Sequence, residues 1–475
     1  MFLLAGERAE RLAAAGEAQR FFEQAAALSD EDDRSADLID RAGRMAWVAN
    51  RVDDARALLG RARDAYDELG DDVAKALVDS KLAEIDFNNG RVPEAVDRMG
   101  PALEAIERVG TPADVAATAA QFGRFLVFAR DYEAAAAQLE RALTLAEELG
   151  LPETLAQALN SKSVLTLYRG RPHEARLLVR GALAVALEHD LHDPALRAYN
   201  NTVADSWYAM RWREGIALVE EALEYARRTG ERTWELSFIT GSIGCFDFLG
   251  RWDEALERAA AVEPFATTEF TRGLLLWVAL IHLRRGEVAA ARELLDRHSD
   301  IGRSGNPEFS AGYAAVEGSV LAAEGRYGDA FEAALRALPA EATSSAWWLS
   351  FNAAEVALAL RDDEQARELY ERIDSDVGGK RMFVVDAQLA RLRARLFQGD
   401  AVIELQTAER IFRDLEAVFC AAVVQAERAE YLLAAGRGEE AGELLDDARA
   451  TFARLRAKPW LERVDAALGR QRVVA

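Results

Sequence analysis

One hexapeptide pattern returns every 40 residues. "NRVDDA" (50–55), "GRVPEA" (90–95), "RDYEAA" (130–135), "GRPHEA" (170–175), "MRWREG" (210–215) and "GRWDEA" (250–255) each begin 40 positions after the last. A second series keeps the same period, with Gly70, Gly110, Gly150 and Gly230, and Asp190 in the remaining place. A third runs seven residues behind the first Ala, through Ala62, Ala102, Ala142, Ala182 and Ala222. Three signals in phase mark a repeat array, in which each unit buries a face that its neighbour completes.

Each series has a physical cause. Gly90, Gly170 and Gly250 suit the left-handed position that ends a helix, where a Cβ is strained. Asp53, Glu94, Glu133, Glu174, Glu214 and Glu254 then fall in the first turn of the next helix and complement its positive end. Small residues seven apart share a face two turns along, which lets a neighbouring helix approach closely. The Gly70 series closes that second helix, and Pro112 and Pro152 prevent its continuation. The unit is a helical hairpin, about 15 residues followed by about 20.

Past 255 the pattern loosens: "GEVAAA" (286–291), "GRYGDA" (325–330), "RDDEQA" (361–366), a faint "GDAVIE" (399–404) and a clean "GRGEEA" (436–441). "AGEAQRFFEQA" (15–25) supplies one more second helix at the front. The expectation is about twelve hairpins, regular over 1–262 and less regular over 263–475, with closing helices at the end. Looser loops are expected at 299–309, 338–345 and 374–381.

Composition agrees. Ala, Leu, Glu and Arg dominate, only ten prolines occur, and alternating β-branched runs are nearly absent, so the fold class is all-α. The 58 basic residues stand against 81 acidic ones, a formal net charge of −23. Such a surface repels phosphate backbones and anionic lipid, which argues against nucleic-acid and membrane partners and for a polar or basic one. The longest apolar run, "GLLLWVALI" (273–281), is about half of the roughly 20 residues a span requires, and reads as a buried helix. Cys245 and Cys420 lie far apart with no CxxC, and the start of the chain lacks the length of a signal peptide. Together these point to a cytoplasmic protein.

Gly-x-x-x-x-Ala with Ala seven later, and an aromatic two residues after the Gly position (Tyr132, Trp212, Trp252, Tyr327), resembles the tetratricopeptide repeat. HEAT-like repeats share the length but would leave the Gly/Ala register unexplained. The departure is 40 residues against about 34, which lengthens each helix by nearly one turn. Long repeats of this kind are similar to the C-terminal arms of large bacterial signalling ATPases, including LuxR-type regulators and proteins with class III cyclase domains. The tail "ATFARLRAKPWLERVDAAL" (450–468) resembles the closing helices of those arms.

The resemblance implies a right-handed superhelical solenoid whose first helices line a concave groove. Counting back from each register Ala, inward positions include Arg124, Phe128, Gln157, Asn160, Tyr168, Arg197, Asn200, Trp207, Tyr208, Asp247 and Phe248. Asn160 and Asn200 are one period apart, and an Asn near this place in the family often bonds the backbone of a bound peptide, to which an amide offers both donor and acceptor. An Asn there also caps or bridges hairpins, and both roles stay open. The aromatics offer anchors but also belong naturally to a core. Trp212 and Trp252 read as packing between helices. Trp347 and Trp348 cannot both face the core, which leaves one as an exposed secondary candidate.

Catalytic patterns are weak. His189 and His192, with Glu188, Asp190 and Asp193, have ligand-type spacing but fall in a helix-ending turn, where such residues are ordinary. Cys245 sits among apolar neighbours. "DVGGKR" (376–381) lacks the phosphate-loop spacing, and no helix-turn-helix or cyclase segment follows the repeats. The expectation is a non-catalytic interaction scaffold with no cofactor or metal, binding a partner peptide or helix in the groove. The alternative is the sensor arm of a signalling ATPase, transcriptional regulator or adenylate cyclase, with an ATPase module docking at the N-terminus, because Met1 begins within a repeat already under way.

Overall fold

The structure, a computed structural model, describes the chain apart from residues 13, 50, 267, 339–345, 376–381 and 475. Most of the loops expected at 338–345 and 374–381, "DVGGKR" included, lie outside the described residues. The chain divides into two compact units, Met1–Asn201 and Thr202–Ala475.

The first unit is built from α1 (Phe2–Arg11), α2 (Ala15–Ala27), α3 (Asp32–Val48), α4 (Val52–Leu69), α5 (Asp72–Asn88), α6 (Val92–Val109), α7 (Pro112–Phe128), α8 (Tyr132–Leu149), α9 (Pro152–Tyr168) and α10 (Pro172–Glu188). α11 (His192–Tyr208) carries the chain over the division. The second unit continues with α12 (Trp212–Thr229), α13 (Arg232–Phe248), α14 (Trp252–Val262), α15 (Glu269–Leu275), α16 (Trp277–Arg285), α17 (Val288–Arg297), α18 (Pro307–Ala323) and α19 (Tyr327–Ala337). It ends with α20 (Ala346–Ala359), α21 (Asp363–Ser375), α22 (Phe383–Leu396), α23 (Ala401–Asp414), α24 (Val418–Ala434), α25 (Gly438–Leu455) and α26 (Lys458–Val474). These helices form twelve antiparallel hairpins and a closing helix, with the eighth first helix broken into α15 and α16 at Leu276.

The turns explain the period. Gly90, Gly170 and Gly250 adopt positive φ at the end of each first helix, and at the same register position Arg130 and Met210 do so without being glycine. Asp190 likewise takes φ 53° in the second series, where Gly70, Gly150 and Gly230 are left-handed. Gly110 is the exception, with φ −77° and ψ 174°. There Thr111 and Asp114 form a capping box ahead of Pro112, which starts α7 in an extended approach. First and second helices come out nearly equal, at 17 and 18 residues for α7 and α8, because the caps fall just outside the periodic residues.

The register alanines are core. Ala55 and Ala62, Ala95 and Ala102, and Ala135 and Ala142 are all buried pairs. A second close approach lies within the hairpins: a Cβ on Gly43 would come 2.8 Å from Leu59, and one on Gly123 would come 2.7 Å from Leu139. Overpacking of that kind typically destabilises by about 1–3 kcal/mol. Between hairpins of the first unit, the buried Asp86 carboxylate accepts from Arg56 and Arg98 and pairs with Arg91, binding α4, α5 and α6 together.

The second unit closes on itself. Its late helices return to its early ones: Arg213 pairs with Glu416 at 2.6 Å, Arg456 with Asp253, and Arg285 Nε donates to the Leu455 carbonyl at 3.3 Å. Trp252 packs on Phe419 with ring centroids 5.2 Å apart. This closure corrects the expectation for Trp347 and Trp348, which are both 8% exposed. Trp347 leans on Trp212 and Phe248, while Trp348 stacks on Trp277 at 5.0 Å. A helix covered on two sides has no exposed face to give to either. "GLLLWVALI" is likewise buried from Leu275 to Ile281, with a turn at Leu276. No helix among the described residues is long and apolar enough to cross a membrane.

Candidate functional site: the inner face of the first unit

The candidate residues fall in two groups, and each belongs to its own unit. Arg124, Gln157, Asn160, Tyr168, Arg197 and Asn200 lie in the first, and Trp207, Tyr208, Asp247 and Phe248 in the second.

In the first unit, α7 turns Leu126, Val127 and Phe125 into the core and leaves Ala117, Gln121, Arg124 and Phe128 on the opposite stripe. Steps of three and four residues keep that stripe on one side of the helix. Gln157 and Tyr168 hold the same place on α9, as Lys81 and Glu84 do on α5 and Arg197 on α11. The charged groups of this stripe act on one another: Arg124 senses Arg197, Glu84 and Asp193, and Glu84 senses Lys81, Arg197 and Arg124. Groups 40 and about 70 residues apart in sequence act on one another in this way because successive first helices lie side by side.

The other two cations on this face, Lys81 and Arg197, have direct partners of opposite sign. Lys81 donates to Glu84 at 3.2 Å and Arg197 to Asp193 at 3.1 Å. Arg124 makes no hydrogen bond or ion pair among the described residues; its guanidinium carbon rests 4.6 Å from the centre of the Phe87 ring. Phe87 in turn stacks on Phe125 at 4.6 Å and meets the edge of Phe128 at 5.3 Å. Burial, then the like charge of Arg197, push Arg124 down to about 9, and it stays charged at neutral pH. Burial works to raise the Glu84 carboxyl, but Lys81, Arg197 and Arg124 hold it below its ordinary value.

The amides divide. Asn160 is 3% exposed, and its side-chain oxygen accepts from Asn201 Nδ2 at 3.0 Å, a bridge between α9 and α11. Asn200, one period on, is half-buried, as is Gln157, whose amide reaches Glu153 at 3.3 Å. Two aromatic rings remain open at the ends of their helices, Phe128 at 46% and Tyr168 at 37% exposure. The face therefore offers amides, open rings and cations along one stripe, which suits an extended chain better than a compact substrate.

The corresponding face of the second unit is occupied by its own side chains. Asp247 is 1% exposed and is gripped by Arg284, while Phe248 lies flat on Trp212 with ring centroids 4.4 Å apart. Trp207 packs edge-on against Trp212 and Trp277, and a Cβ on Gly244 would run into it. Tyr208 is half-buried against the same core. Beyond Asp247 the network continues through residues that sequence reasoning missed: Arg391, 3% exposed, pairs with Glu355 at 2.6 Å and Glu427 at 2.7 Å and donates to Gln388. The available signal was a charge inside an otherwise apolar first helix, as in "VVDAQLARL" (384–392).

Elsewhere chemistry is sparse. His189 and His192 sit exposed around the turn at Asp190, and no group of three His, Cys, Asp or Glu among the described residues is placed to hold a metal. Burial pushes the Cys245 and Cys420 thiols up to about 12, the state of inert structural thiols. A cleft of about 520 Å³ between α6, α7 and α8 is lined by Pro112, Val115 and Leu145 together with Glu107 and Arg141, and one of about 350 Å³ beside α14 by Leu256, Leu275 and Val278 together with Glu263 and Arg297.

The sequence matches no protein-family model and no curated protein. Its fold is similar to solved structures at low identity. A Rap protein complexed with competence and sporulation factor aligns at 14% identity over 82% of this chain and 98% of its own, with a TM-score of 0.50. The apo quorum sensor NprR from B. thuringiensis aligns at 16% over 82% and 99%, with a TM-score of 0.42. A signal transduction ATPase with a tetratricopeptide repeat sensor from Pyrococcus horikoshii aligns at 12% over 69% and 52%, with a TM-score of 0.48. The fold of this chain is a tetratricopeptide-like array of helical hairpins.

Proposed function

We propose that this chain is a non-catalytic binding protein, and that its first unit takes a peptide, or an extended segment of a partner protein, along the inner face of α5, α7, α9 and α11. The observation that carries the reading is the contrast between the two units. The inner stripe of the first keeps Arg124, Gln157, Phe128 and Tyr168 at least partly open, whereas Gly244 and Phe248, at the places of Arg124 and Phe128, are covered by Trp207 and Trp212. Amides that pair with a main chain and rings that receive side chains are the ordinary means of recognising an extended peptide. The Rap protein that shares the fold carries a bound factor, which supports the same use here.

The test fills the face. Ala117, exposed at the start of the α7 stripe, is replaced by Trp, and Leu177, 72% exposed on α10, is replaced by Trp as the outer-surface counterpart. Each protein is equilibrated with a pool of synthetic heptapeptides, separated by gel filtration, and its retained peptides are read by mass spectrometry. Retention by the wild type and Leu177→Trp, lost in Ala117→Trp, is the expected result. Equal retention by Ala117→Trp, or none by the wild type, overturns the reading.

A further inference from the structure

Arg124 stands apart among the arginines on the inner face of the first unit. Acidic residues outnumber basic ones by 81 to 58, and many other arginines of this unit have taken a carboxylate. Arg44 holds Asp40, Arg98 bridges Asp79 and Asp86, Arg141 pairs with Glu107, and Arg169 with Glu133. Arg124 alone on the inner face has no carboxylate. Its two nearest acids are engaged elsewhere, Glu84 with Lys81 and Asp193 with Arg197. The Phe87 ring fixes the guanidinium plane, contributing about 0.5–2 kcal/mol, but a ring neutralises no charge and leaves the N–H donors of the fork unmatched.

A guanidinium kept half-buried and unpaired is unfavourable for the empty protein. The penalty is relieved when a ligand brings a carboxylate, whose planar pair of oxygens fits the fork. Lys81, Arg124 and Arg197 stand against Glu84, Glu153 and Asp193 on this face, so it carries none of the acid excess of a chain of net charge −23.

We propose that Arg124 is a binding residue for a carboxylate of the peptide taken up by the first unit, so that this face selects acidic peptides. The inference rests on the peptide reading above and names its chemical class. The carboxylate comes either from an Asp or Glu side chain or from the peptide's C-terminus.

The experiment uses the full chain and four fluorescent heptapeptide pools matched in all but charge: one Glu or one Gln, each with a free or an amidated C-terminus. Anisotropy is measured for the wild type, Arg124→Gln and Arg124→Lys, with thermal unfolding of each protein alongside. Pools bearing a carboxylate at the recognised place should bind the wild type at least about tenfold more tightly than the Gln amide pool. That preference should vanish in Arg124→Gln and survive in part in Arg124→Lys. The midpoint of unfolding should shift only slightly in Arg124→Gln, since no native ion pair is lost and relief of the half-buried charge offsets the lost contact with the Phe87 ring. Preference for Glu amide peptides identifies a side-chain carboxylate, and preference for Gln free-acid peptides a terminal one. Equal binding of all four pools with no effect of Arg124→Gln overturns the carboxylate assignment and leaves the peptide reading standing. Binding of none overturns both, and a marked loss of stability in Arg124→Gln shows Arg124 to be structural.

Discussion

Nη1 of Arg284 donates to both carboxylate oxygens of Asp247, at 2.5 and 2.6 Å, with Asp247 1% exposed. The pair joins α13 to α16 inside the second unit, and the Asp247 carbonyl also accepts from Trp252 Nε1 at 3.1 Å. Breaking such a pair from one side strands a buried charge, so Asp247→Ala should lower the unfolding free energy by about 3–5 kcal/mol. The double variant Asp247→Leu with Arg284→Met should recover most of that loss, as urea unfolding of the four proteins of the cycle would measure. A stable Asp247→Ala protein would mean that the carboxylate is not holding the unit together.

Two polar residues one turn apart on α9 should behave oppositely. Asn160 is buried and bonded to Asn201, so Asn160→Ala should destabilise the protein by about 1–3 kcal/mol through the stranded partner. Gln157 is half-buried with a single long contact. Gln157→Ala should leave stability within about 0.5 kcal/mol while reducing heptapeptide retention. Thermal unfolding and the retention assay together separate the two roles.

Both cysteines should be silent in the native protein. With the thiols buried and raised to about 12, iodoacetamide at about pH 8 should label neither. Both should react after unfolding in guanidinium chloride, as intact mass would show. Labelling of native Cys420 would mean that the second unit opens around α24.

His298 gives the stability a pH dependence. Its Nε2 is buried with no hydrogen-bond partner among the described residues, and burial, then the charge of Arg272, hold its pKa below the ordinary 6.5. The unfolded chain therefore takes up a proton near the ordinary value while the folded chain still resists it. The stability is fully present above that value and declines as pH falls toward the folded pKa. Between about pH 7 and pH 5.5, the unfolding midpoint of His298→Gln should fall less steeply than that of the wild type. Parallel slopes would assign the decline to other groups.

The hairpins are legible in the sequence because their causes are local. Gly90 and Gly170 mark a left-handed turn directly, and the 40-residue register places the same turn at Arg130 and Met210, where the residue itself gives no sign of it. The exception at Gly110 is also local, because Thr111 and Asp114 cap α7. What periodicity does not carry is how distant helices meet. Phe248 shares the register of Phe128 and Tyr168 on the inner face of the first unit, yet Trp212 covers it. The contacts that close the second unit, such as Arg213 with Glu416, span about 200 residues of chain and leave no repeat signature. Arg124 was readable as an inward position. That it has no carboxylate depends on Glu84 and Asp193 pairing with other residues, a competition decided only in the folded unit.

The most direct test of the central claim is amide hydrogen exchange of the full chain with and without the heptapeptides it retains. Binding along the inner face of the first unit predicts slowed exchange in α5, α7, α9 and the first half of α11, with the second unit unchanged. Slowing confined to α6, α8 and α10, or to the second unit, would contradict it.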